Sequence, residues 1–239
     1  MSASRRETPP PILPRASASP TPHVEVKYFP STACVEVQWV EAGPLLTNTY
    51  VVCDLDECVV VDPAGGVREV LRLVGKRAVV AVVATHLHFD HVLSAAEVVE
   101  AVNAPFHAHY DDWRIYRELN SVAVEWGFEV PVLPAPRPLG ERLWKLEVIH
   151  TPGHTPGSVS LLGDGFVLTG DTLFKGTVGR TDLPFGDWRL LVKSVCKLYQ
   201  LPGGYRVYPG HGPATYLGEE ALYNVVNRSV CESGVYRIT

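Results

Sequence analysis

The sequence predicts an α/β fold in which two β-sheets pack against each other and helices cover their outer faces. Short runs of β-branched and aromatic residues are followed by apolar stripes at helical spacing, and this order occurs twice along the chain. Hydrophobic residues make up 46% of the 239 residues and charged residues 20%, which is ordinary for a globular protein with a substantial core. A chain of this length is typical of one undivided α/β domain.

The first half of the chain is predicted to alternate strands with helices. Its strands are short runs rich in valine and aromatic residues, at 35–40, 49–52, 58–61, 78–84 and 105–107. Its helices are apolar stripes with offsets of three and four residues, at 67–75, 92–102 and 112–126. The run at 78–84 contains alanine and valine alone, so we expect a strand that is buried on both faces of its sheet.

The second half begins with a proline-rich connection at 131–138 and then returns to strands. These strands are predicted at 143–149, 158–162, 166–169 and 205–208. The apolar stripe at 188–198 predicts the clearest amphipathic helix of the chain. Asp187 stands directly before this helix, where a carboxylate can accept hydrogen bonds from the first turn, so we expect it to be the N-cap.

Residues 1–22 are predicted to form a disordered tail, and residues 23–239 the folded domain. The tail contains six prolines and four serines and shows neither the helical nor the strand period. Its prolines would also break the amphipathic helix that an organelle transit segment requires. We therefore expect the tail to be dispensable for folding.

Charge and hydropathy exclude several classes of partner. The chain carries 21 Lys and Arg against 26 Asp and Glu, a formal net charge of −5, so it has no general positive field for nucleic acid. No apolar run approaches the ~18 residues that a membrane span needs, and the start of the chain lacks a secretory signal. We predict a cytoplasmic protein that binds neither nucleic acid nor membrane; the sequence leaves its oligomeric state open.

The five cysteines are odd in number and contain no C-x-x-C pair. The sequence therefore predicts neither a disulfide framework nor a thiolate zinc site. Cys53, Cys58 and Cys196 lie in apolar runs, where a cysteine is usually a small buried hydrophobic residue.

The strand at 78–84 runs directly into the segment Thr85-His86-Leu87-His88-Phe89-Asp90-His91. With nine histidines in the chain, a His-x-His-x-Asp-His pattern is expected by chance in roughly 5 of 10,000 such sequences. Side chains two residues apart in an extended segment point the same way, so His86 and His88 can bind one metal ion together. A turn into the next helix would direct Asp90 and His91 to another side, where they can begin a second site.

Three further polar residues stand beside glycine in predicted loops. His154 lies in Thr-Pro-Gly-His-Thr-Pro-Gly, Asp171 in Gly-Asp-Thr, and His211 in Pro-Gly-His-Gly. A rigid scaffold places converging ligands in such loops. Each residue alone would more often be a turn or surface residue, but the full set of histidines and aspartates predicts a metal centre. The remaining histidines lack this context, and we expect structural or surface roles for His23, His107, His109 and His150.

Together these motifs resemble those of the metallo-β-lactamase superfamily, over residues 24–227. The resemblance implies the fold of that family, a four-layer αββα sandwich of the α/β (α+β) class. It also implies two divalent metal ions, zinc in the first place, with iron and manganese as alternatives. The first ion would be held by His86, His88 and His154, the second by Asp90, His91 and His211, and both would be bridged by Asp171. A binding module without activity would be expected to have lost ligands, and none of the set is missing.

The segment at 170–184 is similar to glyoxalase II and its short relatives, and also to the persulfide dioxygenases. Glyoxalase II has a lysine that contacts glutathione where this chain has Arg180. Arg180 is therefore expected either to bind a substrate carboxylate or to pair with Asp182. The dioxygenases typically have Tyr-Pro-Ala-His-Asp around the last histidine. This chain has Tyr-Pro-Gly-His-Gly at 208–212, which is the hydrolase-like form.

The resemblance thus implies a metal-dependent hydrolase of a small-molecule thioester, similar to the hydroxyacylglutathione hydrolases. Two cations would lower the pKa of the water that bridges them from about 15.7 toward about 7, which supplies hydroxide at neutral pH. Asp90 and Asp171 would be the catalytic residues beside that water. The alternatives are a mononuclear iron oxygenase like the persulfide dioxygenases and a non-catalytic metal-binding module. Asp62 is expected either to form the turn before Pro63 or to support a ligand histidine from behind.

Overall fold

The computed structural model describes residues 22–25, for which we consider the backbone alone, and residues 35–234. The strands in these ranges are β1 (Pro22–Glu25), β2 (Glu36–Ala42), β3 (Thr47–Cys53), β4 (Glu57–Val61), β5 (Ala78–Val83), β6 (Phe106–Ala108), β7 (Arg137–Pro138), β8 (Arg142–Leu143), β9 (Leu146–His150), β10 (Val159–Gly163), β11 (Phe166–Gly170), β12 (Leu173–Phe174), β13 (Thr177–Val178), β14 (Arg206–Pro209) and β15 (Thr215–Tyr216). The helices are α1 (Val67–Val74), α2 (Phe89–Val92), α3 (Ala95–Val102), α4 (Tyr110–Trp113), α5 (Tyr116–Leu119), α6 (Ser121–Glu125), α7 (Trp188–Leu198), α8 (Leu217–Tyr223) and α9 (Arg228–Ser233).

The first sheet has the strand order β1-β2-β3-β4-β5-β6-β7. Strands β1 to β4 pair antiparallel, whereas β4 to β7 are parallel neighbours. Parallel neighbours end at the same edge of a sheet, so the residues that follow β4 and β5 lie side by side. The backbone N–H of Asp62, just after β4, donates to Val83 O at the end of β5 at 2.8 Å.

The second sheet has the order β15-β14-β11-β10-β9-β8, and β12 pairs with β13 in a small separate hairpin. Strand β10 is antiparallel to both β9 and β11, and β11 is parallel to β14. Strands β9, β11 and β14 therefore run in the same direction and end at the same edge. The loops that leave this edge carry His154, Asp171 and His211.

Three buried clusters separate the layers of the protein. Val51 and Val60 pack with Val70 of α1 on the outer face of the first sheet. Their neighbours along the strands, such as Val52, face the opposite way and pack between the two sheets, because successive side chains of a strand alternate. The outer face of the second sheet packs against Val192 and other apolar residues of α7 and α8. The order helix, sheet, sheet, helix confirms the predicted four-layer αββα sandwich.

The prediction of one continuous helix at 112–126 is wrong, because the structure has the three short helices α4, α5 and α6 there. Asn120, between α5 and α6, does not extend a helical surface. Its side chain instead accepts from Phe89 N at 2.7 Å and donates to Leu87 O at 2.8 Å, which fixes the break. The predicted N-cap is confirmed, since the Asp187 carboxylate accepts from Leu190 N at 2.9 Å.

The expectation that the strand at 78–84 is buried on both faces holds for its second half alone. Ala78 is exposed and Val79 is half-buried, whereas the strand is fully buried from Ala81 onward. The reason is the short neighbouring strand β6, which pairs with Val82 and Val83 and leaves the start of β5 uncovered on that side.

The expectation that the cysteines form no disulfides is wrong, because the structure contains the pairs Cys53–Cys58 and Cys196–Cys231. Cys53 and Cys58 lie directly opposite each other in the β3–β4 hairpin, with Cα atoms 4.1 Å apart. The second pair joins α7 to α9 across 35 residues, a proximity that sequence spacing does not reveal. Cys34 lies outside the described residues. Disulfides are typical of oxidising compartments and of intracellular proteins of hyperthermophiles, so the cytoplasmic location stays a prediction.

Within the part of the chain that the structure describes, no helix combines the length and the hydropathy that a bilayer crossing requires.

The predicted tail lies outside the described residues except for Pro22, which begins β1 and pairs with Val40. We expect deletion of residues 1–21 to leave the melting temperature and the turnover unchanged, because a segment without apolar periodicity contributes little to a core. Deletion through Glu25 is the matched comparison, and it should lower the melting temperature because it removes an edge strand of the first sheet. A large decrease after the shorter deletion would show that the tail packs on the domain.

Candidate metal centre

The sequence singled out seven side chains as metal ligands, and the structure brings all of them to one place between the two sheets. We call them the seven candidate ligands: His86, His88, Asp90, His91, His154, Asp171 and His211. The first four follow β5 of the first sheet, and the other three lie in the loops after β9, β11 and β14 of the second sheet. The centre therefore forms where strand ends from both sheets meet.

The donor atoms form two neighbouring groups, which meet in a third set, His86, His91 and Asp171, whose donor atoms also lie within 4.8 Å of one another. His86, His88 and His154 place one donor atom each within 4.8 Å of one another, and His88 Nδ1 lies 2.8 Å from His154 Nε2. Asp90, His91 and His211 form a second group with the same spread. In the second group His211 Nε2 lies 3.3 Å from both His91 Nε2 and Asp90 Oδ2.

Asp171 lies between the two groups and contacts both. Its Oδ1 is 3.3 Å from His91 Nε2, and its Oδ2 is 3.5 Å from His154 Nε2 and 3.6 Å from His211 Nε2. One carboxylate thus faces a member of each group, which is the position that a bridging ligand requires.

The outer nitrogens of His154 and His211 are held by backbone oxygen acceptors, which fix the orientation of each ring. His154 Nδ1–H donates to Arg180 O at 2.7 Å, and His211 Nδ1–H donates to Leu45 O at 3.1 Å. Because Nδ1 is the nitrogen that donates to these carbonyls, Nε2 is the nitrogen of each ring that faces the centre. A hydrogen bond from the ring nitrogen that does not bind the metal orients a ligand histidine and increases the basicity of its other nitrogen.

Asp62 follows β4, and its side chain supports the candidate ligands from behind. Its carboxylate accepts from Thr85 N at 2.6 Å, from Thr85 Oγ1 at 2.8 Å and from His91 Nδ1 at 3.0 Å. Since the hydroxyl proton of Thr85 points to Asp62, Thr85 Oγ1 can accept from His86 Nδ1 at 3.2 Å. Asp62 also has a left-handed backbone with φ 52, which Asp tolerates better than most residues. It is therefore both a turn residue and a support for two candidate ligands.

Sequence reasoning missed Asp112, a fully buried carboxylate on α4. It accepts from Leu87 N at 3.0 Å, from Thr155 Oγ1 at 2.8 Å and from Gly157 N at 2.6 Å. Leu87 lies between two candidate ligands, and Thr155 follows His154, so Asp112 joins the two loops that carry the first group. This role has no signal in the sequence, because Asp112 stands in a segment that is indistinguishable from the polar start of a helix.

Electrostatics divides the candidate ligands into neutral and charged members. Burial and the nearby His154 ring lower the pKa of His88 to about 3, so this ring is neutral and its lone pair is free. Burial alone would raise the pKa of Asp90, but the charge of His91 and a hydrogen bond from His211 lower it to about 2. Burial would likewise lower the pKa of His91, but the charges of Asp171 and Asp90 raise it. A protonated His91 thus balances ionised carboxylates, a role that a bound cation would take over with release of the proton.

The donor set fits divalent metal ions. His86 Nε2, His88 Nε2 and Asp171 Oδ1 are buried and have no hydrogen-bond partner among the described residues. Buried polar atoms without partners are unfavourable, and a ligand cation is the usual explanation for several of them in one place. Imidazole and carboxylate donors suit zinc, iron and manganese alike, so they do not select one metal.

Two glycines allow the backbone to pack directly against Asp171. A Cβ atom at Gly179 would overlap the carbonyl oxygen of Asp171 and lie 3.3 Å from His154 Nδ1. A Cβ atom at Gly210 would overlap Asp171 Oδ1 and lie 2.7 Å from His91 Cε1. Residues with a side chain therefore do not fit at these two positions unless the backbone of Asp171, for Gly179, or its carboxylate, for Gly210, moves.

A cavity of about 360 Å³ opens beside the candidate ligands. Candidate ligands from both groups form its floor. Its walls are mostly apolar and come from α5, α6, the β2–β3 loop, the β12–β13 hairpin and the loop at 180–183. A mostly apolar cleft with a few convergent polar groups is the usual form of a small-molecule site.

Arg180 stands at the rim of this cavity and is paired with Asp182. Arg180 Nε and Nη2 each donate to the Asp182 carboxylate at 2.7 Å, and both side chains are exposed. The guanidinium carbon lies 5.9 Å from the centre of the Trp126 ring. Of the two roles expected for Arg180, the structure has the ion pair with Asp182.

Two of the histidines that were expected to be structural lie together on the surface near α4. His109 Nδ1 accepts from Asp111 N at 3.2 Å and so caps α4, and its ring stacks on His150 with centroids 4.6 Å apart. His150 Nε2–H donates to Pro156 O at 2.8 Å. His109, Asp111 and His150 form a further group of donor atoms, but it is not part of the centre.

Comparison with known proteins agrees with this geometry. A family model described as the metallo-beta-lactamase superfamily matches residues 42–211, a range that contains all seven candidate ligands. The chain is 35% identical to the probable metallo-hydrolase YqgX of Bacillus subtilis (strain 168) over 186 residues. The matched region covers 72% of this chain and 88% of that relative. The structure of TTHA1623 in a di-iron-bound form has a TM-score of 0.72 and 41% identity, covering 78% of this chain and 98% of that chain. The structure of the BLEG-1 B3 metallo-beta-lactamase has a TM-score of 0.71 and 32% identity, covering 79% of this chain and 98% of that chain.

Proposed function

Because this chain belongs to the metallo-β-lactamase superfamily, we propose that it is a metal-dependent hydrolase and that its substrates are small-molecule thioesters. In this reaction the C–S bond of the thioester breaks, a C–O bond to water forms, and the products are a carboxylic acid and a thiol. The proposal combines the site geometry with the similarity of the segment at 170–184 to glyoxalase II.

The seven candidate ligands would hold two cations, with zinc as the first choice and iron and manganese as alternatives. His86, His88 and His154 would hold one, Asp90, His91 and His211 the other, and Asp171 would bridge them. When bound, the two cations would make water acidic enough to supply hydroxide at neutral pH and would polarise the substrate carbonyl.

The side chains of this protein contribute orientation and charge. Thr47 Oγ1 donates to Asp90 Oδ2 at 3.0 Å and so fixes the carboxylate, whose low pKa keeps it ionised and able to bind a cation or accept a hydrogen bond from the attacking water. Asp62 and Thr85 hold the His91 and His86 rings in place from behind, so the centre is organised before a substrate arrives.

The observation that carries the choice of thioesters is the absence of a proton donor for the leaving group. Besides the candidate ligands, Arg180 is the one titratable side chain among the described residues that line the cavity, and a guanidinium does not release its proton. An amine or alkoxide leaving group needs a general acid. A thiol has a pKa of about 8.5, so it can leave as the thiolate without one.

The main alternative is an iron oxygenase similar to the persulfide dioxygenases. To separate the two reactions, we would load metal-free protein separately with zinc, ferrous iron and manganese. Each form would be assayed for hydrolysis of S-lactoylglutathione and of S-acetyl-N-acetylcysteamine, and for oxygen consumption with glutathione persulfide.

We expect zinc to support thioester hydrolysis, because Lewis acidity suffices for acyl transfer, and we expect little oxygen uptake with iron. The metal-free protein is the control and should be inactive. Full thioester hydrolysis without metal would contradict the mechanism. Persulfide-dependent oxygen uptake with iron, together with no thioester hydrolysis with any metal, would favour the oxygenase.

A further inference from the structure

The walls of the cavity beside the metal centre consist largely of apolar side chains. They are contributed by Leu45, Leu119, Val122, Ala123, Trp126, Phe174, Val178 and Leu183. From this lining we infer that the preferred substrate carries an apolar acyl group, such as a medium-length alkyl chain or an aromatic ring, which lies in this cavity. The inference rests on the proposed thioester hydrolysis and specifies its substrate class.

Some of these large apolar side chains are exposed to solvent, so a bound apolar group would bury them. Trp126 is 54% exposed and Leu45 is 37% exposed, although both are large and face the same cavity. Single exposed apolar residues are common, but apolar residues that converge around a cleft mark a binding surface. Burial of these side chains by an acyl chain would stabilise the complex in proportion to the area removed from water.

The charges around the cavity do not match a polyanionic substrate. Glutathione carries carboxylates at both ends of the peptide, and these need cationic partners. Arg180 is the single cationic side chain among the described residues that line the cavity, and it already forms a two-point ion pair with Asp182. Recognition by this cavity therefore comes from the acyl group rather than from a charged thiol carrier.

The position of the apolar walls relative to the centre sets the direction of the acyl chain. Leu45 O accepts from His211 Nδ1, so the wall in the β2–β3 loop is fixed to a candidate ligand. Trp126 also lines the cavity, and its ring lies 5.9 Å from the guanidinium carbon of Arg180. A substrate carbonyl at the candidate ligands would have its alkyl chain in the same cavity, which Leu45, Val122 and Trp126 line.

The test is a series of neutral thioesters that differ in the acyl group alone. We would measure kcat/KM of the zinc-loaded protein for the acetyl, butanoyl, hexanoyl and octanoyl thioesters of N-acetylcysteamine. Each buried methylene should increase kcat/KM by about fourfold until the cavity is full. S-Lactoylglutathione should be a poorer substrate than the hexanoyl thioester.

Two variants of α6 provide a matched pair. Val122 lines the cavity, whereas Val124 lies two residues further along the same helix and is exposed to solvent. V122D should lose the increase of kcat/KM with chain length, and V124D should keep it. Equal metal content and equal melting temperature of the two variants would exclude a general loss of structure.

Binding of thioethers that cannot be hydrolysed separates this inference from the proposed function. We would measure the Kd of S-methyl- and S-hexyl-N-acetylcysteamine by calorimetry. Hydrolysis of the acetyl thioester without any gain from longer chains would overturn the inference and leave the function. Absence of hydrolysis, with tighter binding of the hexyl thioether to the unmodified chain than to V122D, would overturn the function and leave the apolar site. Equal binding of both thioethers would overturn the inference in either case.

Discussion

Replacing Asp171 with alanine is expected to remove both metal ions from the protein rather than one. Elemental analysis of the unmodified chain should find close to two metals per chain, because the donor atoms form two groups. Asp171 contacts a member of each group, at 3.3 Å from His91 Nε2 and 3.5 Å from His154 Nε2, so its loss weakens both. Replacing a residue that supports a metal ligand from behind typically decreases activity by roughly 10–100-fold. We expect the rate of thioester hydrolysis to decrease by more than this in Asp171→Ala, because a candidate ligand itself is lost.

The control for Asp171→Ala is Glu100→Ala, which removes an exposed carboxylate from α3 and should leave metal content and activity unchanged. Loss of a single metal from Asp171→Ala would show that the carboxylate serves one site and would contradict the bridging assignment. The Asp171→Asn variant tests the same point with the side-chain shape retained, and it should lose nearly as much metal because its charge is gone.

Replacing Asp112 with alanine should destabilise the fold and the metal centre together. The substitution leaves two buried backbone donors without an acceptor, Leu87 N and Gly157 N, and leaves Thr155 Oγ1 with Ser158 Oγ alone as a partner. A buried donor without a partner costs about 1–3 kcal/mol, so we expect the free energy of unfolding to decrease by about 3 kcal/mol or more. Because the two loops also lose their common anchor, hydrolysis should decrease by about 10–100-fold.

The neighbouring carboxylate offers a matched control for Asp112→Ala. Asp111 is half-exposed, on the same helix, and its ion pair with Arg114 is long at 3.6 Å. Asp111→Ala should change the free energy of unfolding by less than about 0.5 kcal/mol, as is usual for surface substitutions. Chemical denaturation of both variants measures the difference. Equal stability of the two would mean that the Asp112 hydrogen bonds contribute little.

The fold and the candidate ligands could be predicted from the sequence because both depend on local patterns. Strand periods, helical stripes and glycine-rich loops are visible within a few residues, and side chains at parallel strand ends meet at one edge. His86 and His88 are an example, since their spacing and their position after β5 already indicate a shared site. Asp62 had two expected roles, and its left-handed backbone and its bond to His91 combine them.

Features that depend on distant parts of the chain could not be predicted in this way. Asp112 is an ordinary helix-start residue in sequence, and its role exists because folding brings two loops to it. The Cys196–Cys231 pair joins helices 35 residues apart, so neither cysteine has a local signal. The break at Asn120 has the same origin, because its side chain binds the backbone of the metal-binding segment instead of continuing a helix.

The close packing of Gly179 and Gly210 against Asp171 has a consequence for how such a protein can evolve. A side chain at Gly210 would displace the Asp171 carboxylate and one at Gly179 would displace the Asp171 backbone, so neither glycine can be replaced without moving a candidate ligand. The cavity walls have no such restriction, since a change at Val122 or Trp126 alters shape without touching a candidate ligand. Lineages that descend from this chain are therefore expected to diversify in what they accept long before they alter the centre that acts on it.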